Sequence, residues 1–141
     1  MDIISAGNDT RKLGIFISSL FIVAPEIDKQ PNIAKAAAQT RDNGIIKCHV
    51  ISHPKPTTQW SKDGQVLTVD GSKYEEGYNK EGDFKHKFSL TVKAVGESDY
   101  GSYGCTATNS KGSDSHNIIL GGTSKYNNKP FIGYVTYLSI L

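Results

Sequence analysis

The stretch Asp99–Cys105, which reads Asp-Tyr-Gly-Ser-Tyr-Gly-Cys, decides how this chain of 141 residues is interpreted. Its second tyrosine, Tyr103, lies two residues before Cys105. The only other cysteine is Cys48, and it lies twelve residues before Trp60, the single tryptophan. The scarcest residue types of the chain therefore belong to one arrangement, and the prediction of the fold starts from their spacing.

This spacing resembles that of immunoglobulin-type sandwiches, in which a tryptophan packs on a disulfide between two sheets and the tyrosine bonds backbone at a corner. The resemblance implies a bond between Cys48 and Cys105 and a core that contains Trp60, Leu90 and Tyr103. Two cysteines alone do not establish a bond, because cytosolic cysteines are more often free. A bond would stabilise the fold by about 4 kcal/mol in the chain-entropy model. It would also imply an oxidising compartment, and hence a secreted or cell-surface protein.

Alternation of apolar and polar residues predicts strands on both sides of each cysteine. The residues expected to face inward are Ile46, Cys48, Val50, Thr58, Trp60, Phe88, Leu90, Val92, Tyr103, Cys105 and Ala107. Asp63-Gly64 and Asn109–Gly112 are turn sequences that predict hairpins. Ile33–Ala38 is predicted to form a weak first edge strand, and Asn117–Leu120 is predicted to form the last strand. The polar stretch Asp70–Lys87 predicts one or two short edge strands. We therefore expect an all-β, two-sheet sandwich.

The sequence from Ser72 to Leu120 resembles I-set immunoglobulin domains of neuronal cell-surface proteins. The specific part is Asp99–Gly112, which fits the pattern D-x-G-x-Y-x-C-x-A-x-N-x-x-G that I-set domains share. It is similar to the third, membrane-proximal domain of lachesin-like proteins, the IgLON family and the Dpr-interacting proteins of invertebrates. The resemblance implies an extracellular domain of a cell-adhesion or cell-recognition protein, which binds cell-surface proteins homophilically or heterophilically or acts as a spacer. Those relatives carry three such domains and this chain has room for one, so their partner-binding residues cannot be carried over.

Two segments flank the predicted I-set domain, which spans residues 25–121. Residues 1–24 include the apolar run Leu13–Ala24, which fits the core of a signal peptide. The alternative is that Ser19–Ile27 is the last strand of a preceding immunoglobulin domain with its proline linker. Asn8 begins an Asn-Asp-Thr sequon for N-glycosylation. Residues 122–141 have the layout of a glycolipid-anchor signal, with small residues, a polar spacer and an apolar tail. The alternative for this end is a frayed tail, whereas an anchor would attach the protein to a membrane.

Charge and residue pattern argue against other classes of protein. The formal net charge is +2 and the 16 Lys and Arg residues are scattered, so the basic stripe of a nucleic-acid-binding protein is missing. The four histidines show no metal-site spacing, and we expect His49 and His86 to face outward from strands and His53 to lie in a loop. No glycine-rich phosphate loop is present. We therefore predict no enzyme, no cofactor and no metal site.

Two outward surfaces remain as candidates for binding. One lies on the third, sixth and seventh predicted strands and is small and polar: Gln59, Ser61, Gly104, Thr106 and Thr108. It lacks the Trp, Tyr and Arg that dominate interface hot spots, which favours a spacer domain. The other is aromatic and basic, with Tyr74, Tyr78, Lys80, Lys85 and Lys87, and can dock a partner or an acidic glycan. Lysines at such an edge also serve to prevent strand pairing. Two further alternatives are a soluble secreted ligand-binding or immune protein and an intracellular filament module.

Overall fold

The computed structural model describes residues 21–30, 35–123 and 130–131, and these form a sandwich of two β-sheets. The strands are β1 (Val23–Ile27), β2 (Lys35–Ala38), β3 (Gly44–His53), β4 (Thr57–Lys62), β5 (Gln65–Val66), β6 (Tyr74–Glu81), β7 (Lys85–Val92), β8 (Gly101–Asn109), β9 (Gly112–Thr123) and β10 (Pro130–Phe131). Sheet 1 has the order β1-β3-β7-β6, and sheet 2 has the order β10-β9-β8-β4-β5 with β2 parallel to β9. The predicted all-β sandwich is confirmed.

Strict alternation along the central strands builds the core. Strand β3 buries every second residue from Gly44 to Ser52, and β7 does the same from His86 to Val92. The largest fully buried side chains include Trp60, Tyr103, Ile46, Leu90, Ile118, Leu120 and Val95. A disulfide joins Cys48 on β3 to Cys105 on β8, with a Cα–Cα distance of 6.5 Å. The predicted disulfide therefore links the two sheets at the centre of the core.

Two predicted hairpins are present with the expected turns. Lys62 pairs with Gln65, so Asp63 and Gly64 form a two-residue loop, in which their φ angles are 48° and 86°. Positive φ at both positions is what a type I′ turn requires, and Asp-Gly is among its preferred sequences. The second hairpin joins β8 to β9 and is closed by the pair Asn109 and Gly112. Strand β9 continues to Thr123, well beyond the predicted end at Leu120.

The polar middle segment forms a single eight-residue edge strand, β6, and not two short strands. It pairs with β7, which begins at Lys85, three residues before the first inward residue predicted for it. The prediction that His86 faces outward is wrong, because the alternation that buries Phe88 and Leu90 extends back to it and leaves it 2% exposed. Its ring contacts the Tyr78 hydroxyl at 2.9 Å and the Ser52 carbonyl oxygen at 3.1 Å, so both nitrogens are satisfied.

Several expectations concern parts of the chain outside the described residues. Asn8, most of the apolar run that starts at Leu13, and nearly all of the C-terminal segment belong to these parts, and their roles stay predictions. The expectation for His53 is corrected, because it is the last residue of β3. In the described ranges, no helix has the length and apolar character needed to cross a membrane.

Candidate functional site

A buried corner holds the tyrosine that the sequence singled out. The Tyr103 hydroxyl donates a hydrogen bond of 2.7 Å to the backbone oxygen of Asp99. Burial is the main reason why the pKa of Tyr103 is raised, and the neighbouring Tyr74 and Asp99 add to it, so the hydroxyl remains a donor. The Asp99 carboxylate accepts bonds of 2.7 Å from the Gly96 N–H and from Lys73 Nζ. These bonds hold the corner at one end of the sandwich.

A carboxylate on the edge strand also ties the two sheets together, and sequence reasoning missed it. Glu76 of β6 accepts a hydrogen bond from the Trp60 indole N–H and another, of 2.6 Å, from the Thr58 hydroxyl. Trp60 and Thr58 belong to sheet 2, whereas Glu76 belongs to sheet 1. The buried indole N–H is therefore satisfied across the open side of the sandwich, as buried Trp N–H groups usually are.

Asp114 makes the corresponding link on the opposite side. Its carboxylate accepts bonds from the Ile27 backbone N–H and from Lys29 Nζ, both at 2.8 Å, and from the Ser115 N–H at 2.9 Å. Burial raises the pKa of Asp114, but the bonds from Ile27, Lys29 and Ser115 outweigh it and lower the pKa overall. Strand β1 is thereby held to β9 as well as to its own sheet.

The outer face of sheet 2 carries the small polar residues that the sequence placed there, with exposed Val66 opposite Ser61. Gly104 lies between Ser61 and Asn117 in the strand register. It is buried although its position faces outward, because the side chains of these two neighbours cover it, and a Cβ at this position would overlap Ser61 Oγ. Beside it, the hydroxyls of Thr106 and Ser115 are 2.8 Å apart and bond to each other. Gln59, Ser61, Thr106 and Thr108 thus present small hydroxyl and amide groups on this face.

The aromatic and basic segment is less uniform than its sequence indicates. Tyr74 packs against the core, and Tyr78 is 40% exposed, with Lys55 Nζ 3.8 Å from its ring centroid. Lys87 forms an ion pair of 3.1 Å with Glu81, and Lys80 forms one of 3.4 Å with Asp83. Neighbouring carboxylates therefore partly balance the positive charge on β6 and β7. Lys85 and Lys87 belong to β7 and not to the edge strand β6.

The outer face of sheet 1 contains a shallow groove of about 320 Å³. The residues that line it are Lys47, His49, Tyr78, Asn79, Lys87, Phe88 and Ser89. The pKa of His49 is lowered, first by partial burial and then by the positive charges of Lys87 and Lys47, against weaker opposite effects of Asp28 and Glu81. The charges of Lys87 and Lys47 are therefore close enough to His49 to disfavour its protonated form. No group of three or more His, Cys, Asp or Glu side chains that could hold a metal ion occurs in the described part of the chain.

Comparison with known proteins agrees with this architecture. Residues 25–121 match the family model described as the immunoglobulin I-set domain. The chain belongs to the immunoglobulin I-set family. The described sandwich, with its inter-sheet disulfide and tyrosine corner, has the features expected of an immunoglobulin-type sandwich.

Similar I-set sequences occur in proteins of different kinds. A tyrosine-protein kinase-like otk of Drosophila willistoni is 30% identical over 131 residues, which cover 93% of this chain and 12% of that protein. Human neural cell adhesion molecule 1 is 32% identical over 118 residues, which cover 80% of this chain and 12% of that protein. A titin homolog of Caenorhabditis elegans is 38% identical over 96 residues, or 64% of this chain and, after rounding, 0% of that protein. The chain thus spans about an eighth or less of the length of these relatives.

A solved structure gives a similar result. One chain in the crystal structure of Dpr2 Ig1-Ig2 in complex with DIP-Theta Ig1-Ig3 superposes with a TM-score of 0.63 at 27% identity, covering 72% of this chain and 33% of that chain. This I-set domain is thus similar to domains of an adhesion molecule and of an immunoglobulin-domain complex, and also to a domain of a titin homolog. The kinase-like name belongs to the otk protein as a whole, and the I-set match carries no catalytic function to this chain.

Proposed function

We propose that this I-set domain is an extracellular part of a cell-adhesion or cell-recognition protein, and that it acts by binding cell-surface proteins or as a spacer near the membrane. The observation that carries the proposal is the Cys48–Cys105 disulfide, which joins the sheets of a domain similar to one in neural cell adhesion molecule 1. Disulfides persist in oxidising compartments and are rare in the cytosol.

The outer face of sheet 2 favours the spacer role. Gln59, Ser61 and Thr106 offer no large apolar surface, and interface hot spots are usually Trp, Tyr or Arg in a desolvated cluster. A domain with such a face adds length and a fixed orientation to a longer polypeptide. We extend the proposal to a membrane-proximal position like that of the third domain of lachesin-like proteins, with attachment through a C-terminal lipid anchor and glycosylation at Asn8.

The second candidate is a soluble secreted protein that binds a ligand or serves in immunity. The same disulfide supports it, because secretion alone requires no anchor. A third candidate, an intracellular filament module, is favoured by the resemblance to the titin homolog. It would require Cys48 and Cys105 to be reduced in the cell.

Surface labelling separates these candidates. An antibody raised against the domain is applied to intact and to permeabilised cells that express the natural gene, before and after treatment with a phospholipase that cleaves glycolipid anchors. The proposal expects staining of intact cells, and an anchored form is released by the phospholipase. Protein that is found in the medium without treatment favours the secreted alternative. Staining only after permeabilisation, along filaments, contradicts the extracellular proposal.

A further inference from the structure

The groove on sheet 1 is built from six positions in two rows across three paired strands. In one row, His49, Lys87 and Asn79 are direct neighbours, and in the other, Lys47 and Ser89 are neighbours and are followed by Gly77. All six side-chain positions face outward, because the residues between them on β3 and β7 are buried. Gly77 lies beside the groove, and a Cβ there would come within 2.7 Å of Ser89 Oγ.

The two rows bring two lysine side chains onto one face of the sheet. His49 faces Lys87 directly across the strands, and Lys47 is diagonal to Lys87, a separation of about 7–8 Å in antiparallel sheets. Two lysine charges at this separation repel each other, although less than charges directly opposite would. Residues that lower the stability of a fold are expected at functional sites, such as binding sites. An anion between the lysines would remove this repulsion.

Two negative groups, Glu81 and Asp28, lie near the groove. Glu81 pairs with Lys87, but both side chains are more than 40% exposed, and an exposed pair of this kind contributes little and can open. Asp28 lies beside His49, where its hydrogen-bonded backbone N–H contacts the His49 carbonyl oxygen. Burial is the main reason why the pKa of His49 is lowered, and at this ring the effects of Lys87 and Lys47 are larger than the opposite effects of the two acids.

We infer that the groove formed by Lys47, His49, Asn79, Lys87 and Ser89 binds the sulfate groups of a sulfated glycan. Two lysines at this spacing contact two charged groups along one extended chain, and Asn79 and Ser89 supply hydrogen bonds to sugar hydroxyls. The groove is shallow and open to solvent, which suits a chain that stays solvated. A protein hot spot needs a desolvated centre. The inference rests on the proposed extracellular function, because sulfated glycans are presented there.

The test is calorimetric titration of the purified 141-residue protein with a heparin octasaccharide at about 0.15 M salt. The variant Lys47→Gln/Lys87→Gln is expected to bind on the order of tenfold more weakly, and the affinity of the natural protein should fall as salt rises. The matched control is Lys62→Gln/Lys111→Gln, which removes the same charge from sheet 2 and the β8–β9 turn. It should bind as the natural protein does.

A variant that gains affinity sharpens the test. Glu81→Gln frees Lys87 from its carboxylate and should bind the octasaccharide about twofold to fivefold more tightly, which a purely structural role of Lys87 would not produce. Thermal unfolding of each variant verifies that the fold is retained. The inference is overturned if the octasaccharide does not bind, if both double variants lose affinity equally, or if a desulfated octasaccharide or inositol hexakisphosphate binds equally well. Because binding is measured on purified protein, its failure is distinguishable from failure of the surface-labelling experiment.

Discussion

The centre of this sandwich and its rim are stabilised by different kinds of contact. The centre is the set of apolar side chains around the Cys48–Cys105 bond, including Trp60 and Leu90, and it is closed to solvent. The rim consists of three carboxylates, Glu76, Asp99 and Asp114, which join strands or turns that the hydrogen-bond ladders leave separate. All three accept more than one hydrogen bond.

This difference shows where stability and specificity of the fold reside. Burial of apolar surface is worth about 25 cal/mol per Å² and does not depend on direction, so the centre contributes most of the free energy of folding. A hydrogen bond contributes about 1 kcal/mol but has a strict geometry. We therefore expect the rim to align the sheets and to contribute less per residue, and the following four predictions test that order.

The largest effect is expected at Leu90, which is fully buried on β7. Leu90→Ala should lower the free energy of unfolding by about 3 kcal/mol, because it removes buried methyl groups and leaves a cavity. The control is Ile45→Ala on the adjacent strand β3, where the side chain is 51% exposed and the loss should stay below about 1 kcal/mol. Chemical denaturation measures both, and equal losses would contradict the distinction between centre and surface.

The next largest effect is expected at Asp99. Asp99→Asn retains the shape of the side chain but removes the charge that pairs with Lys73 Nζ at 2.7 Å, and should cost about 2 kcal/mol. The exposed pair of Lys80 and Asp83 supplies the control, since Asp83→Asn should cost less than about 0.5 kcal/mol. Equal free energies of unfolding for the two variants would contradict a stabilising role of the Asp99 carboxylate at this corner.

A smaller effect is expected at Glu76. Glu76→Gln removes the charge from the bonds to the Trp60 indole and the Thr58 hydroxyl and should cost about 1 kcal/mol. Because Trp60 is the only tryptophan, its fluorescence should change as well. The neighbour Glu75, which forms an ion pair with Lys93 on the outer face, is the matched control. Glu75→Gln should leave the emission spectrum unchanged, and an equal shift would contradict the contact.

The smallest effect should be visible only as a dependence on pH. The pKa of Asp114 is lowered in the folded protein, so its contribution is complete above the unfolded value of about 3.9 and is lost as pH falls through the folded value. Asp114→Asn should therefore reduce stability at neutral pH and remove part of the decline below about pH 4. Asp42→Asn, at an exposed position, serves as the control. If the free energy of unfolding of the natural protein and of Asp114→Asn changes with pH in parallel, the Asp114 carboxylate does not contribute to stability in this way.

The sequence revealed the centre more completely than the rim. Spacing of Cys48, Trp60 and Cys105, with alternation on β3, β7 and β8, was enough to predict both sheets and their link. The alternation that places Phe88 and Leu90 inside, extended two residues toward the start of β7, places His86 inside as well.

The rim could not be predicted because its partners are far apart in sequence and are ordinary surface residue types. Glu76 lies 16 residues from Trp60, and Asp114 lies 87 residues from Ile27. No local period connects such pairs, and one sequence contains many exposed carboxylates. The groove at Lys47 and Lys87 is similar, since it depends on the register between β3 and β7.

The central claim is that this I-set domain is an extracellular one with a cross-linked core, and the thiol state of the natural protein tests it most directly. Protein isolated from its own cells is alkylated at once, digested without reduction and analysed by mass spectrometry. We predict a peptide pair joined through Cys48 and Cys105, with neither cysteine alkylated. Two alkylated cysteines would contradict the claim and favour the intracellular filament module.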